Sequence, residues 1–237
     1  MYIYGKNVSR ECLNSDDVIA RAFVSKKFRD QDIIDKLRFK GVRINFVDNR
    51  VLDNKVDGLH QGIVLEVDDV NTYYINSFID SIKDVHNPRV VMLDHLEDPH
   101  NFGAIIRTCE ALGVEGIIIP RDRSVGVNAT VVKTSAGAIS YVKIVKVSNL
   151  QVALKKLRDH NFWIVGTDMK GDDYTKIDYN MPVVLVIGNE GHGISSVVRK
   201  ECDFIASIPM KGHVNSLNAS VSCGIVLSRI VGSNNNG

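Results

Sequence analysis

Val183-Val184-Leu185-Val186-Ile187-Gly188-Asn189-Glu190-Gly191-His192-Gly193-Ile194-Ser195 joins an unbroken apolar run to a loop with three glycines in six residues. A run of Val, Leu and Ile with no polar face reads as a strand buried on both sides, as in a parallel sheet. The glycines behind it imply either a sharp turn or a backbone that comes close to a ligand. Their spacing is not Gly-x-Gly-x-x-Gly, and the loop lacks the Lys of a phosphate-cradling loop, so a dinucleotide or triphosphate site is disfavoured. Glu190 is, on these grounds alone, a charge favoured at a helix start.

Outward from this run, strands and helices alternate. Strands are predicted over Val90–Asp94, Gly116–Pro120, Tyr141–Val145, Phe162–Gly166, Val183–Gly188 and Phe204–Pro209. Helices are predicted over Phe102–Leu112, Ala129–Ala136, Asn149–His160, Ser195–Glu201 and Leu217–Val231. The implied fold is α/β, a parallel sheet covered on both faces, whose ligands bind in loops at the carboxyl ends of the strands. The N-terminal part, residues 1–70, is a smaller α/β domain with strands Val18–Val24, Val42–Val47 and Gly62–Val67 and a helix Asp32–Lys40 stopped by Gly41. Residues 71–87 are polar and weakly patterned and read as a linker; residues 88–237 form the second domain.

Composition narrows the function. Of 237 residues, 44% are hydrophobic and 24% charged, enough apolar material for a core without staples or metal. The formal net charge of +1 announces no polyanionic partner, so a nucleic-acid surface would have to be a local patch. Lys26, Lys27, Arg29, Lys36, Arg38, Lys40 and Arg43 are either a solvated charged face, given the many nearby Asp residues, or an RNA-contacting stripe. Cys12, Cys109, Cys202 and Cys223 are far apart, and the seven histidines show no metal spacing. With no apolar stretch near the ~20 residues of a bilayer span and no signal-peptide pattern at the start, the expectation is a reduced, cytoplasmic, metal-free protein. The tail Ser233–Gly237 is expected to fray.

Two further loops follow predicted strands. Asp94-His95-Leu96-Glu97-Asp98-Pro99-His100-Asn101-Phe102-Gly103-Ala104-Ile105-Ile106-Arg107-Thr108 turns at Asp98-Pro99 into a helix that Asn101 is placed to cap. Arg107 projects from the first turns of that helix, where an Arg is ordinarily solvated. Ile208-Pro209-Met210-Lys211-Gly212-His213-Val214-Asn215-Ser216-Leu217-Asn218-Ala219-Ser220-Val221-Ser222 offers Ser216 and Asn218 as caps for the final helix. Ala219, Ser220, Ser222 and Gly224 give that helix a small-residue face that lets another backbone approach.

Taken together and in order, Asp-Pro-x-Asn-x-Gly-Ala-x-x-Arg-Thr, Gly-Asn-Glu-Gly-x-Gly-Ile-Ser and Ile-Pro-Met-x-Gly-x-x-x-Ser-Leu-Asn-Ala-Ser resemble the three signature motifs of the SpoU (TrmH-like) ribose 2′-O-methyltransferases of the SPOUT superfamily. The resemblance spans residues 88–231 and includes Val132–Ala138 and Val147–Leu150. Tyr4-Gly5 and His60-Gln61-Gly62-Ile63 look like the RNA substrate-binding domain of the family's ribosomal branch, whose nearest likeness methylates a guanosine in the P loop of 23S rRNA. The resemblance implies a C-terminal trefoil knot, S-adenosyl-L-methionine as methyl donor, no metal, and a homodimer. It implies donor contacts at Gly188, Ile208 and Leu217, and an active site of Arg107, Asn101, Glu190, Ser216 and Asn218, with Glu190 and Asn101 holding Arg107 in place. A ribose methyltransferase acting on tRNA and a non-catalytic RNA-binding assembly factor are the alternatives; the missing Gly-x-Gly-x-x-Gly argues against an oxidoreductase.

Overall fold

The computed structural model describes residues 2–14, 19–67, 72–213 and 216–233. Val18, the tail beyond Ser233, and Val214 and Asn215 of the third motif lie outside them. The chain forms two compact units, one of residues 1–71 and 127–141, the other of residues 72–126 and 142–237.

The first unit opens with β1 (Tyr2–Tyr4) and α1 (Lys6–Asn14), followed by β2 (Ile19–Ser25), α2 (Gln31–Phe39), β3 (Arg43–Val47), α3 (Asn49–Asp53) and β4 (Ile63–Val67). Its sheet has the order β1-β4-β2-β3, with β2 and β3 parallel and the other pairs antiparallel. The helical spacing of Ile33, Ile34 and Leu37 puts all three in the core of this unit. Of the basic residues here, Lys26 pairs with Asp48, Lys36 with Asp32 and Arg38 with Asp35. These exposed pairs fit a solvated charged face and add little to stability.

The second unit begins with β5 (Thr72–Tyr73) and α4 (Ile75–Asp80), then β6 (Arg89–Asp94), α5 (Pro99–Ala111) and β7 (Gly116–Pro120). The chain returns to the first unit for α6 (Ala129–Thr134), which buries Val131 and Val132 and packs on β1. It then adds β8 (Lys143–Val147), α7 (Leu150–Arg158), β9 (Trp163–Asp173), β10 (Val183–Gly188), α8 (Ser196–Arg199), β11 (Phe204–Ser207) and α9 (Ala219–Ser233) to the second unit. All seven strands of the second sheet are parallel, in the order β11-β9-β10-β6-β7-β8-β5. The order reverses between β6 and β10, so the carboxyl ends of these two strands open a crevice suited to ligands.

Several expectations are corrected. The predicted linker carries β5 and α4: Ile75, Phe78, Ile79 and Ile82 stand at helical spacing among polar residues, and Phe78, Ile79 and Ile82 are buried in the main core with Ile75 packed against it. Val132–Ala138 does not stay with the second unit, because α6 finds its apolar partner on β1. The strand predicted from Tyr141 starts at Lys143, since Tyr141 closes a 3-10 turn and is exposed. Phe162–Gly166 is the start of a longer strand that runs to Asp173 and shifts its register against β11 between Ile205 and Ala206.

Replacing Phe78 by Ala separates a linker from a core element. The side chain is fully buried, so urea unfolding is expected to show a loss of about 3–5 kcal/mol. A loss under about 0.5 kcal/mol, the size of an exposed surface change, would return the segment to linker status.

Candidate functional site

β10 and β6 lie side by side and end together, Gly188 opposite Asp94. At Gly188 the chain folds back on itself: a Cβ there would collide with the backbone of Gly193 and Ile194, which is why this position takes glycine. Asn189 and Gly193 exchange backbone hydrogen bonds of 3.0 and 2.9 Å, and Gly193 adopts a φ of 67°. The Asn189 side chain tightens the turn by accepting from Gly191 N at 2.9 Å, while its Nδ2 donates to the His95 carbonyl at 2.9 Å. The loop is thus pinned across the sheet to the end of β6.

α5 begins three residues earlier than the sequence suggests. Asp98 caps it, accepting from His100 N at 2.9 Å, and Pro99 occupies the first turn, where its missing N–H costs nothing. Asn101 is therefore not the cap. Its buried side chain instead donates through Nδ2 to Glu190 Oε1 at 3.0 Å and accepts at Oδ1 from Asn218 Nδ2 at 2.8 Å. Asn218 in turn caps α9, accepting from Ser220 N at 2.9 Å and from the Ser220 hydroxyl at 2.6 Å. One hydrogen-bonded chain, Glu190–Asn101–Asn218–Ser220, links all three sequence motifs. Below it α5 and α9 pack together, with Cys109 and Cys223 both buried. Burial pushes the Cys109 thiol well above its ordinary value, so it behaves as a small apolar side chain.

Beside this chain lies a cavity of about 350 Å³ lined by Gly188, Glu190, Ile208, Ser216 and Leu217. Thr167, Asp168 and Met169 close another side. Sequence reading passed over these three, although they follow the apolar run Phe162–Gly166 at its carboxyl end, where ligands of parallel sheets sit. Arg107 is not part of the chain. It is exposed on α5, about 120° around the helix from Asn101 given 100° per residue. Among the described residues it makes no hydrogen bond or ion pair. The expectation that Glu190 and Asn101 hold Arg107 is corrected accordingly: the two side chains hold each other and leave the guanidinium open. Among the described residues no group of three or more His, Cys, Asp or Glu is placed to hold a metal ion, and no helix is long and apolar enough to cross a membrane.

Two family models match the chain one behind the other along its sequence. Residues 88–228 match the model of the SpoU rRNA methylase family, and residues 2–73 match that of the RNA 2′-O ribose methyltransferase substrate-binding domain. YacO of Bacillus subtilis, assigned to the TrmH family of tRNA/rRNA methyltransferases, is 38% identical over 234 residues, covering 97% of this chain and 94% of its own. The crystal structure of the SpoU methyltransferase AviRb from Streptomyces viridochromogenes with AdoMet superposes with a TM-score of 0.86 at 24% identity, covering 100% of this chain and 91% of that one. An AdoMet-bound rRNA methyltransferase from Sinorhizobium meliloti gives 0.80 at 25% identity, with 97% and 85% covered.

The hydrogen-bonded chain has a measurable weight. Asn101→Ala removes two hydrogen bonds to a carboxylate and an amide that water can reach, and is expected to cost about 0.5–1.5 kcal/mol in urea unfolding. A double-mutant cycle with Asn218→Ala should return a coupling of about 0.5–3 kcal/mol; strict additivity would mean that the two amides act independently.

Proposed function

The chain belongs to the SpoU rRNA methylase family, and from that premise we propose that it transfers the methyl group of S-adenosylmethionine to the ribose 2′-hydroxyl of a guanosine in the P loop of 23S rRNA. The observation that carries the reading is the Glu190–Asn101–Asn218 chain set against the cavity lined by Gly188, Ile208 and Leu217. That cavity falls in the size range of small-molecule sites, roughly 300–1,000 Å³, and its glycine turn keeps Cβ atoms out of the way of a ligand. Gly188, Ile208 and Leu217 are the residues that hold the donor, through backbone groups and apolar walls.

The donor supplies an activated methyl group, so the protein has only to align the hydroxyl and help its proton leave. Asn101, Glu190, Asn218 and Ser216 form the polar side of the site, and the hydrogen bonds among the first three fix their positions before substrate arrives. Arg107 has a guanidinium that stays protonated, which makes a free-base role unphysical. Open and unpaired, it binds the phosphate next to the target ribose and polarises the hydroxyl. The N-terminal unit supports an RNA substrate: residues 2–73 match the RNA 2′-O ribose methyltransferase substrate-binding model, and Phe39 on that unit is 94% exposed and suited to stacking on a base. The proposal extends to a cytoplasmic homodimer with a C-terminal trefoil knot around the donor cavity. Val221 on α9, half-exposed near the site, suits such an interface.

The test is transfer from labelled S-adenosylmethionine to unmethylated large-subunit rRNA, with bulk tRNA in parallel and mapping of the modified nucleotide. A single 2′-O-methylguanosine in the P loop is expected. Transfer to tRNA alone would overturn the substrate, and absence of donor binding would favour a non-catalytic assembly factor. Arg107→Ala is expected to lower kcat about 100-fold or more with donor affinity unchanged; near-normal turnover would remove Arg107 from the mechanism. Glu190→Gln should lower turnover while donor binding stays nearly intact. Light scattering should return twice 26.3 kDa; a monomer mass would overturn the dimer.

A further inference from the structure

A second cavity, about 580 Å³, opens on the other side of the glycine loop, at the carboxyl ends of β6, β7 and β8. Asn189, His192 and Gly193 line both cavities, so the loop is the wall between them. The far walls are built rather than loose. Val125 N and the Ser124 hydroxyl both donate to the Leu96 carbonyl, at 2.7 and 3.0 Å, tying the segment after β7 to the segment after β6.

His95 is held both by its backbone and by its ring. Its φ of 59° is unusual for a residue with a side chain. The Asp94 carboxylate, 1% exposed, accepts from His95 Nδ1 at 2.6 Å and from Ser195 N at 2.7 Å. A carboxylate has no proton to give, so Nδ1 carries the hydrogen and the ring is held in place with Nε2 as its remaining polar atom. Glu97 and Asp122, both exposed, add two acceptor-only groups to the lining. Among the described residues neither side chain has a hydrogen bond or ion pair of its own. Arg123 stands exposed beside them.

We propose that this cavity receives the base of the target nucleotide and that Glu97, Asp122 and His95 read it as guanine. The inference rests on the methyltransferase reading of the neighbouring cavity. Two carboxylates repel a phosphate, so the base enters and the backbone stays at the mouth with Arg123. Guanine alone presents two adjacent donors on its pairing edge, N1–H and the 2-amino group, which carboxylates accept together. Adenine and cytosine place a ring acceptor beside their amino group, and uracil a single N–H between two carbonyls. A base unstacked into such a pocket leaves its sugar near the dividing loop, on the side of the donor.

The experiment titrates guanosine, adenosine, cytidine and uridine 5′-monophosphates into the full chain saturated with S-adenosylhomocysteine, which keeps nucleotides out of the other cavity. NMR shifts of the His95 ring report binding. Guanosine monophosphate is expected to bind about tenfold tighter than the others, and the double variant Glu97→Gln with Asp122→Asn to lose about tenfold or more of that affinity. Equal binding of all four, or unchanged affinity in the variant, would overturn the proposal. Methyl transfer by the parent protein with the same kcat/KM in the double variant would overturn it while leaving the function intact. Guanine-selective binding in a protein that methylates no RNA would support the base site and sink the methyltransferase reading instead.

Discussion

The arrangement of the second unit depends on one buried carboxylate. Asp94 ends β6 at the point where the strand order of the sheet reverses, and its side chain is almost wholly withdrawn from water. An acidic group in that position must be fully hydrogen-bonded to be tolerated. It is satisfied by the backbone N–H of Ser195 and by the ring of His95. These bonds fasten both ends of the crevice: Ser195 caps α8 after the glycine loop, and His95 starts the segment that leads into α5. Without the carboxylate, the glycine loop would have no anchor on the neighbouring strand other than the Asn189 amide.

The two cavities lie on either side of that anchored loop. On one face it offers Gly188 and Glu190 to the smaller cavity; on the other it offers His192 and Gly193 to the larger one. The amide chain from Glu190 through Asn101 to Asn218 then ties the loop to α5 and α9. Both ends of the Asn101 amide are used, so its orientation is fixed by its neighbours and the polar groups are positioned in advance of any substrate. Preorganisation of this kind is what a reaction with an already activated electrophile needs from a protein.

The open position of Arg107 makes a useful contrast. A buried guanidinium would be neutralised by a carboxylate of the same chain, and Glu190 is the nearest candidate by motif. Glu190 is engaged by Asn101 instead, which leaves the cation of α5 available for a charged partner from outside. Other cations are matched: Lys26, Lys36 and Arg38 each to an Asp in the first unit, and Arg158 and Arg199 to Glu201 and Asp168 in the second.

The sequence by itself determined the parallel sheet, the order of its main elements and the three loops that matter. Strands buried on both faces are unbroken apolar runs with abrupt ends, so Gly116–Pro120 and Val183–Gly188 are delimited by composition alone. The motif residues Asn101, Glu190, Ser216 and Asn218 were legible as a group because their spacing is long, ordered and specific. Tertiary structure decided what local pattern cannot carry. Ile75, Phe78, Ile79 and Ile82 have a helical spacing, yet whether so short an apolar stripe belongs to a linker or to the core is decided by its packing against β6 to β8. Asn101 reads locally as a cap, yet Asp98 takes that role and frees its amide for partners 89 and 117 residues away. Thr167–Met169 at a cavity wall, the Asp94–Ser195 bond and the second cavity exist only where strands distant in sequence end side by side. A hydrogen bond between such residues leaves no period or spacing in the chain; the fold alone brings the two groups within reach.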